Sequence, residues 1–186
     1  VSEARLGDWL QTFSGGQFWP MDPRPAEVAI DDIAHALSNL CRFAGHCLEF
    51  YSVAQHSVLV SYYVPREHAF QSLLHDAAEA YLADIPRPVK LELPEYRALE
   101  KRVQAVIYRR FRLPAEEPPC IKAADDRVLA QEHRDLMVVT PYDWGRLDGL
   151  EPLPWRVVPQ SPRNAYGGFL IRFAELVPKE AVEWAS

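Results

Sequence analysis

Apolar residues along this chain recur mostly at helical spacing, and prolines cut the pattern into pieces. Ile33, Leu37 and Leu40 share a face of a short helix that Asp31 and Asp32 would cap. Ser52 precedes Val53–Val64, where Val53, His56, Val60 and Val64 keep helical spacing until Pro65 stops the run. The most regular pattern runs from Glu67 to Asp84. Phe70, Leu73, Leu74, Ala77, Ala78, Tyr81 and Leu82 form its apolar side, and Pro86 ends it. Glu95–Phe111 predicts a long amphipathic helix with Leu99, Val103, Val106 and Ile107 inward. A further helix runs from Pro119 to about Met137 with Ile121, Val128 and Leu129 buried, and a last one from Arg163 to Leu176. Between them, five prolines from Thr140 to Pro162 deny regular structure and predict a long ordered connection. Gly15–Gly16 and Trp19–Pro20–Met21 suggest a short hairpin or extended segment near the start. Repeats, low-complexity tracts and linkers are not visible, so the pattern predicts one all-α domain over residues 1–186.

Composition narrows the class. At 48% hydrophobic and 25% charged, the 186 residues have an ordinary globular balance. The net charge of −6 argues against a nucleic-acid-coating protein, which needs many cations for phosphates. It leaves room for a small anionic substrate. The basic face Lys101, Arg102, Arg109, Arg110 and Arg112 reads as a solvated surface, without interleaved aromatics for base stacking. Val58–Val64 is too short to span a bilayer, and Val1–Phe18 has no signal-peptide core, so no membrane association and a cytoplasmic location are expected. Cys41, Cys47 and Cys120 read as reduced thiols, since an odd count without zinc-knuckle spacing favours neither a disulfide framework nor a metal knuckle.

The residues that suggest chemistry are His56, His75-Asp76 and Asp125. His56 and His75-Asp76 fall in apolar surroundings, where unpartnered polar groups are costly. Imidazole nitrogens with carboxylate oxygens make a suitable shell for a divalent transition ion. On one continuous helix, Glu79 would stand four residues after His75 and three after Asp76, a turn above the ion. There it could hold a water or accept its proton. Asp125 could add a carboxylate from another helix.

The ordered pattern H…HDxxE…D resembles the HD superfamily of metal-dependent phosphohydrolases. Leu74–Lys90 is similar to the 5′-deoxynucleotidase branch. Asp32–Ser57, with Arg42-Phe43-Ala44-Gly45-His46 and Tyr51-Ser52-Val53-Ala54-Gln55-His56-Ser57, resembles the short bacterial and phage HD hydrolases that include phage dATP triphosphohydrolases. The likeness covers roughly Asp8–Glu132. It implies an HD-domain helical bundle with a metal site between helices. His56, His75, Asp76 and Asp125 match its metal ligands, and Glu79 matches the acid that activates water or protonates the leaving group. Arg42 and Lys90 match phosphate contacts, and Asp84 matches the group that binds the sugar hydroxyl. Phe43 stands where the deoxynucleotidases have a Trp that excludes a 2′-hydroxyl, which leaves the strictness of deoxyribose selection open. Gln55 replaces a Glu found in many relatives, which removes a carboxylate that would steady His56.

The resemblance implies a divalent ion (Co, Mn, Zn, Fe, Ni or Mg), with room for a second. It also implies a deoxynucleotide substrate (dATP or another dNTP, or a dNMP) and a homo-oligomer, dimer or hexamer. His46, beside Arg42, admits either a turn-stabilising role or a substrate contact. His35 reads as structural, His68 and His133 as surface residues, and Asp126 as a surface acid that could exchange roles with Asp125. Trp19 and Pro20, with Ile85 and Pro86, could wall a base pocket or simply pack. Two other classes stay in view: an HD-type diiron oxygenase, which needs further His ligands, and a non-catalytic nucleotide-binding module.

Overall fold

The computed structural model describes residues 4–142, 144–145, 147–151 and 153–178; the expectations that touch residues 1–3, 143, 146, 152 and 179–186 lie outside them. The described residues form a helical body: α1 Ile30–Asn39, α2 Val53–Tyr62, α3 Ala69–Leu73, α4 Glu79–Leu82, α5 Arg87–Leu91, α6 Pro94–Arg110, α7 Pro119–Leu136 and α8 Pro162–Leu176. A small antiparallel hairpin, β1 Leu10–Gln11 and β2 Gln17–Phe18, precedes them with Leu10 opposite Phe18. Gly15 takes φ +87 at its turn, a conformation that costs glycine least. The all-α expectation therefore holds, with this hairpin as the one pair of strands among the described residues and a single antiparallel bridge joining Cys41 to Ser52. No described helix is long and apolar enough to cross a membrane.

The spacing of apolar positions is read correctly in most helices, and the departures have physical reasons. α2 is buried on more than the expected single face, with Val53, Ala54, Gln55, His56, Ser57, Val60 and Ser61 all inside. It packs against α1, α3, α7 and α8, so small and polar residues on its sides are covered by neighbours. Ser52 caps it as expected, its hydroxyl accepting from the Gln55 N–H at 3.1 Å. Asp32 does not cap α1. Its carboxylate is buried and accepts from the Ser14 backbone N–H (2.7 Å) and hydroxyl (3.0 Å), which bolts the hairpin to the helix.

The largest correction concerns Glu67–Asp84, which is not one helix. A 3-10 turn, Arg66–His68, leads into α3, which stops at Leu73; Leu74–Ala78 is a chain of turns, and α4 begins at Glu79. The cause is a side chain from α6. Gln104 Oε1 accepts from the Ala78 N–H at 2.9 Å, and its Nε2 donates to the Leu74 carbonyl at 2.7 Å. In an unbroken helix those two backbone groups would bond each other. The carboxamide is inserted into the ladder and satisfies both ends, a recognised cause of helix breaks.

Residues 153–160 of the proline-rich connection lie over α2 and α7 as a strap. Leu153 N–H donates to Gln131 Oε1 (2.9 Å) and Val157 N–H to Asp135 Oδ2 (2.7 Å). Gln55 secures its far end, donating to the Val158 carbonyl (2.8 Å) and accepting from the Gln160 N–H (2.9 Å). The main core joins Ile33, Leu37, Val53, Leu73, Ile107 and Phe169, and the helices that carry the polar cluster pack around it.

Candidate metal centre

Three elements bring the cluster together: α2 supplies His56, the turn after α3 supplies His75 and Asp76, and α7 supplies Asp125. One ligand atom each from His56, His75 and Asp125 lie within 4.8 Å of one another, an arrangement that could hold a metal ion. Asp76 Oδ2 stands 3.2 Å from His75 Nε2 and 3.7 Å from His56 Nε2. Asp125 Oδ1 stands 3.2 Å from His56 Nε2. Neither imidazole Nε2 makes an aligned hydrogen bond, and both are buried.

The tautomers follow from the partners of the other ring nitrogens. His75 Nδ1 faces the Ser72 carbonyl at 2.8 Å, and a carbonyl only accepts, so Nδ1 carries the proton. His56 Nδ1 donates to Glu132 Oε1 at 2.7 Å. Once Nε2 gives up any proton to an incoming ion, the lone pair of each imidazole would point into the cluster, as a metal ligand requires. These buried, unpartnered donors beside two carboxylates fit a divalent cation.

Glu132 was not foreseen from the sequence. It is fully buried and also accepts from the Tyr51 hydroxyl (2.7 Å) and from Arg42 Nε (3.2 Å). It is the carboxylate that fixes the orientation of His56. One signal was available: Glu132 follows Asp125 by seven residues, two helical turns, and so shares its face of α7. Arg42 is committed to this network, with one terminal nitrogen 3.1 Å from Glu132 and the other 3.8 Å from Asp76.

Electrostatics follow the geometry. Burial opposes charge on His75, but Asp76 outweighs it and the group is pushed up to about 10. Burial opposes charge on His56 as well, and its carboxylate neighbours still raise it. Burial raises Asp125, yet the two imidazoles and Lys122 hold it well below the ordinary carboxylate value. Burial raises Glu79 well above its ordinary value, reinforced by the charges of Asp76 and Asp84. Glu132 is pulled the other way: burial would raise it, but Arg42 and His56 keep it low.

A cleft of about 180 Å³ opens beside the cluster, lined by His75, Asp76, Glu79, Lys90, Glu100 and Gln104 among others. Glu79 Oε1 lies 3.5 Å from Lys90 Nζ, and its Oε2 is buried without a partner. Lys90 donates to Glu100 at 2.7 Å, a second partner the sequence did not suggest. Asp84 is partly buried and lies within the electrostatic reach of Arg42, Asp76, Lys90 and His56. Phe43 sits in a left-handed conformation (φ 56), with its ring 6.1 Å from Trp144.

The remaining sequence candidates separate. His46 is exposed, and its backbone N–H donates to the Phe43 carbonyl at 3.0 Å, closing the turn. Asp126 pairs with Lys122 at 2.5 Å, whereas Asp125 is the acid of the cluster. His35 stacks on Phe13, and His133 packs against Trp144. Trp19 packs on Trp9 and under Arg5.

No family model matches the chain. It is 45% identical over 169 residues to Uncharacterized protein YfdR of Escherichia coli (strain K12), covering 90% of this chain and 95% of the relative. It is 37% identical over 126 residues to Uncharacterized protein RCAP_rcc00048 of Rhodobacter capsulatus, covering 62% of this chain and 64% of that relative. With near-complete coverage at that identity, the chain belongs to the YfdR family.

Proposed function

We propose that this protein is a divalent-metal-dependent HD-type phosphohydrolase that removes phosphate from deoxynucleotides, with dATP the leading candidate among dNTPs and dNMPs. The observation that carries the reading is the convergence of two buried, unpartnered Nε2 atoms with Asp76 and Asp125 next to a cleft bearing Glu79 and Lys90. His56, His75, Asp76 and Asp125 would hold the ion. Bound there, it supplies a Lewis acid for a phosphoryl oxygen and an acidified water.

The chain's own residues account for the rest. The cleft wall carries Asp76, Glu79, Glu100 and Glu117 against Lys90 and Lys101, so its acids repel a phosphate unless a dication offsets them. Lys90 lies within reach of Glu79 and presents a mobile point charge to non-bridging oxygens. Arg42 lies between Glu132 and Asp76 and adds fixed positive charge at the same end. Glu79, raised by burial well above the ordinary carboxyl value, faces the cleft with one carboxylate oxygen unpartnered, as a group that passes a proton to or from substrate requires. Asp84 is available to a sugar hydroxyl. A 180 Å³ cleft is below the usual size of a small-molecule pocket, so it suits the phosphate and sugar, with the base toward the open mouth.

The test is phosphate release from each dNMP and dNTP in the presence of Mn, Co, Zn or Mg, with a chelator control. Metal-dependent release supports the reading. Release from none of them, by metal-loaded protein, overturns it.

A further inference from the structure

Two of the three thiols lie together at the edge of the Arg42 loop. Cys41 and Cys47 bracket Arg42–His46, and their sulfurs are 3.6 Å apart. Both residues are partly exposed and carry free thiols. The loop between them is held at its rims: Arg42 N–H donates to the Tyr51 carbonyl and Leu48 N–H to the Leu136 carbonyl, each at 2.8 Å. Within it, Phe43, Ala44 and Gly45 all take positive φ (56, 50 and 80), a conformation that non-glycine residues adopt at a cost. The Cys47 thiol also donates to the Arg42 carbonyl at 3.8 Å.

We propose that Cys41 and Cys47 are a reversible oxidation site, closing to an intramolecular disulfide at the expense of a small-molecule disulfide such as oxidised glutathione, and that this bond controls the loop presenting Arg42. A disulfide needs the sulfurs at about 2.05 Å, so they must approach by roughly 1.5 Å. That is within the compliance of the five-residue surface loop but not neutral for it. The Cys47 thiol is held by the Arg42 carbonyl, so Cys41 is the initiating thiol. The Cys41 thiolate attacks one sulfur of the oxidant, forming a mixed disulfide and expelling one thiol. The Cys47 thiolate then attacks the Cys41 sulfur and expels the second. The protein loses two hydrogen atoms, which end on two molecules of reduced thiol. Closure also removes the Cys47 S–H donor from the Arg42 carbonyl and draws the loop away from the position in which Arg42 meets Glu132 and Asp76.

The functional consequence rests on the proposed hydrolase reading; the chemistry of the pair does not. The full chain is equilibrated with oxidised and reduced glutathione at graded ratios. Free thiols are counted, and the linkage is mapped by peptide mass. The expected result is a fall from three thiols to one, a Cys41–Cys47 link that dithiothreitol reverses, and no such link in Cys41→Ser. The Cys120→Ser variant should still form it. Nucleotide hydrolysis should fall about tenfold on oxidation, the scale of a lost charged hydrogen bond, and should stay unchanged in Cys41→Ser under the same conditions. Persistence of all three thiols, or glutathione adducts that never resolve into the link, overturns the site. A link that forms without changing hydrolysis overturns the control of Arg42. If no nucleotide is hydrolysed in either state, the hydrolase reading fails while the thiol count still decides the oxidation site.

Discussion

His56 Nδ1 and Glu132 Oε1 are 2.7 Å apart, and both side chains are completely excluded from solvent. This bond sets the imidazole's tautomer and turns its Nε2 toward His75, Asp76 and Asp125. The same carboxylate neutralises Arg42 and accepts from Tyr51, so one buried acid ties three elements of the site together.

Replacing Glu132 should therefore do two separable things. Glu132→Ala leaves Arg42 without its buried counter-charge and should cost about 3–5 kcal/mol, read by urea denaturation. Glu132→Gln keeps the volume and should lower metal affinity by about 10–100-fold, read by calorimetry. The sign with pH follows from the lowered folded value of this carboxyl. Its contribution is fully present above the ordinary value of 4.5 and is lost as pH falls through the lower folded one. The stability gap between wild type and Glu132→Gln should close on acidification; a gap that widens would contradict the assignment.

Gln104 should be needed for the turn that carries His75 and Asp76. Gln104→Leu leaves the Leu74 carbonyl and the Ala78 N–H without their partner, at a cost of about 1–3 kcal/mol for each group left unsatisfied. If the turn instead reverts to continuous helix, stability should recover while metal affinity falls, because His75 and Asp76 change direction. Thermal denaturation with and without metal separates the two outcomes.

Glu79→Gln should abolish the proton transfer while keeping the shape of the cleft. Turnover should drop by about 10²–10⁴-fold, the usual contribution of a positioned acid or base. Metal affinity should change little, because Glu79 stands outside the His56, His75 and Asp125 group. A comparable loss of metal would move Glu79 into the ligand set.

Metal binding should release protons. In the metal-free protein the His75 imidazole is pushed up to about 10 by Asp76, so at neutral pH its Nε2 holds a proton that an ion must displace. Apparent affinity should then climb with pH, levelling near pH 10. Calorimetry in buffers of different ionisation enthalpy counts the protons; a count of zero at pH 7 would contradict it.

Much of this molecule is legible in one dimension. The Ser52 cap, the long α6 and α7 and the hairpin at Gly15 follow from local rules of capping, amphipathicity and turn chemistry. So does the short list of groups worth inspecting, because His56 and His75-Asp76 interrupt apolar surroundings. Glu132 hid for the opposite reason. At the end of an amphipathic helix, in Gln131-Glu132-His133-Arg134, an acid looks like solvent-facing charge until tertiary packing covers it.

The helical class, most element positions and the residue types able to hold a cation depend on neighbours a few positions away, and so are readable along the chain. The break of α3 before His75, the pinning of the strap by Gln55 and the carboxylate of Glu132 behind His56 come from long-range packing. Each of those outcomes depends on a hydrogen-bond partner 26 or more residues distant: Gln104 for Ala78, Val158 for Gln55 and His56 for Glu132. A buried polar group must find some partner, but spacing along the chain does not say which one the fold will bring to it.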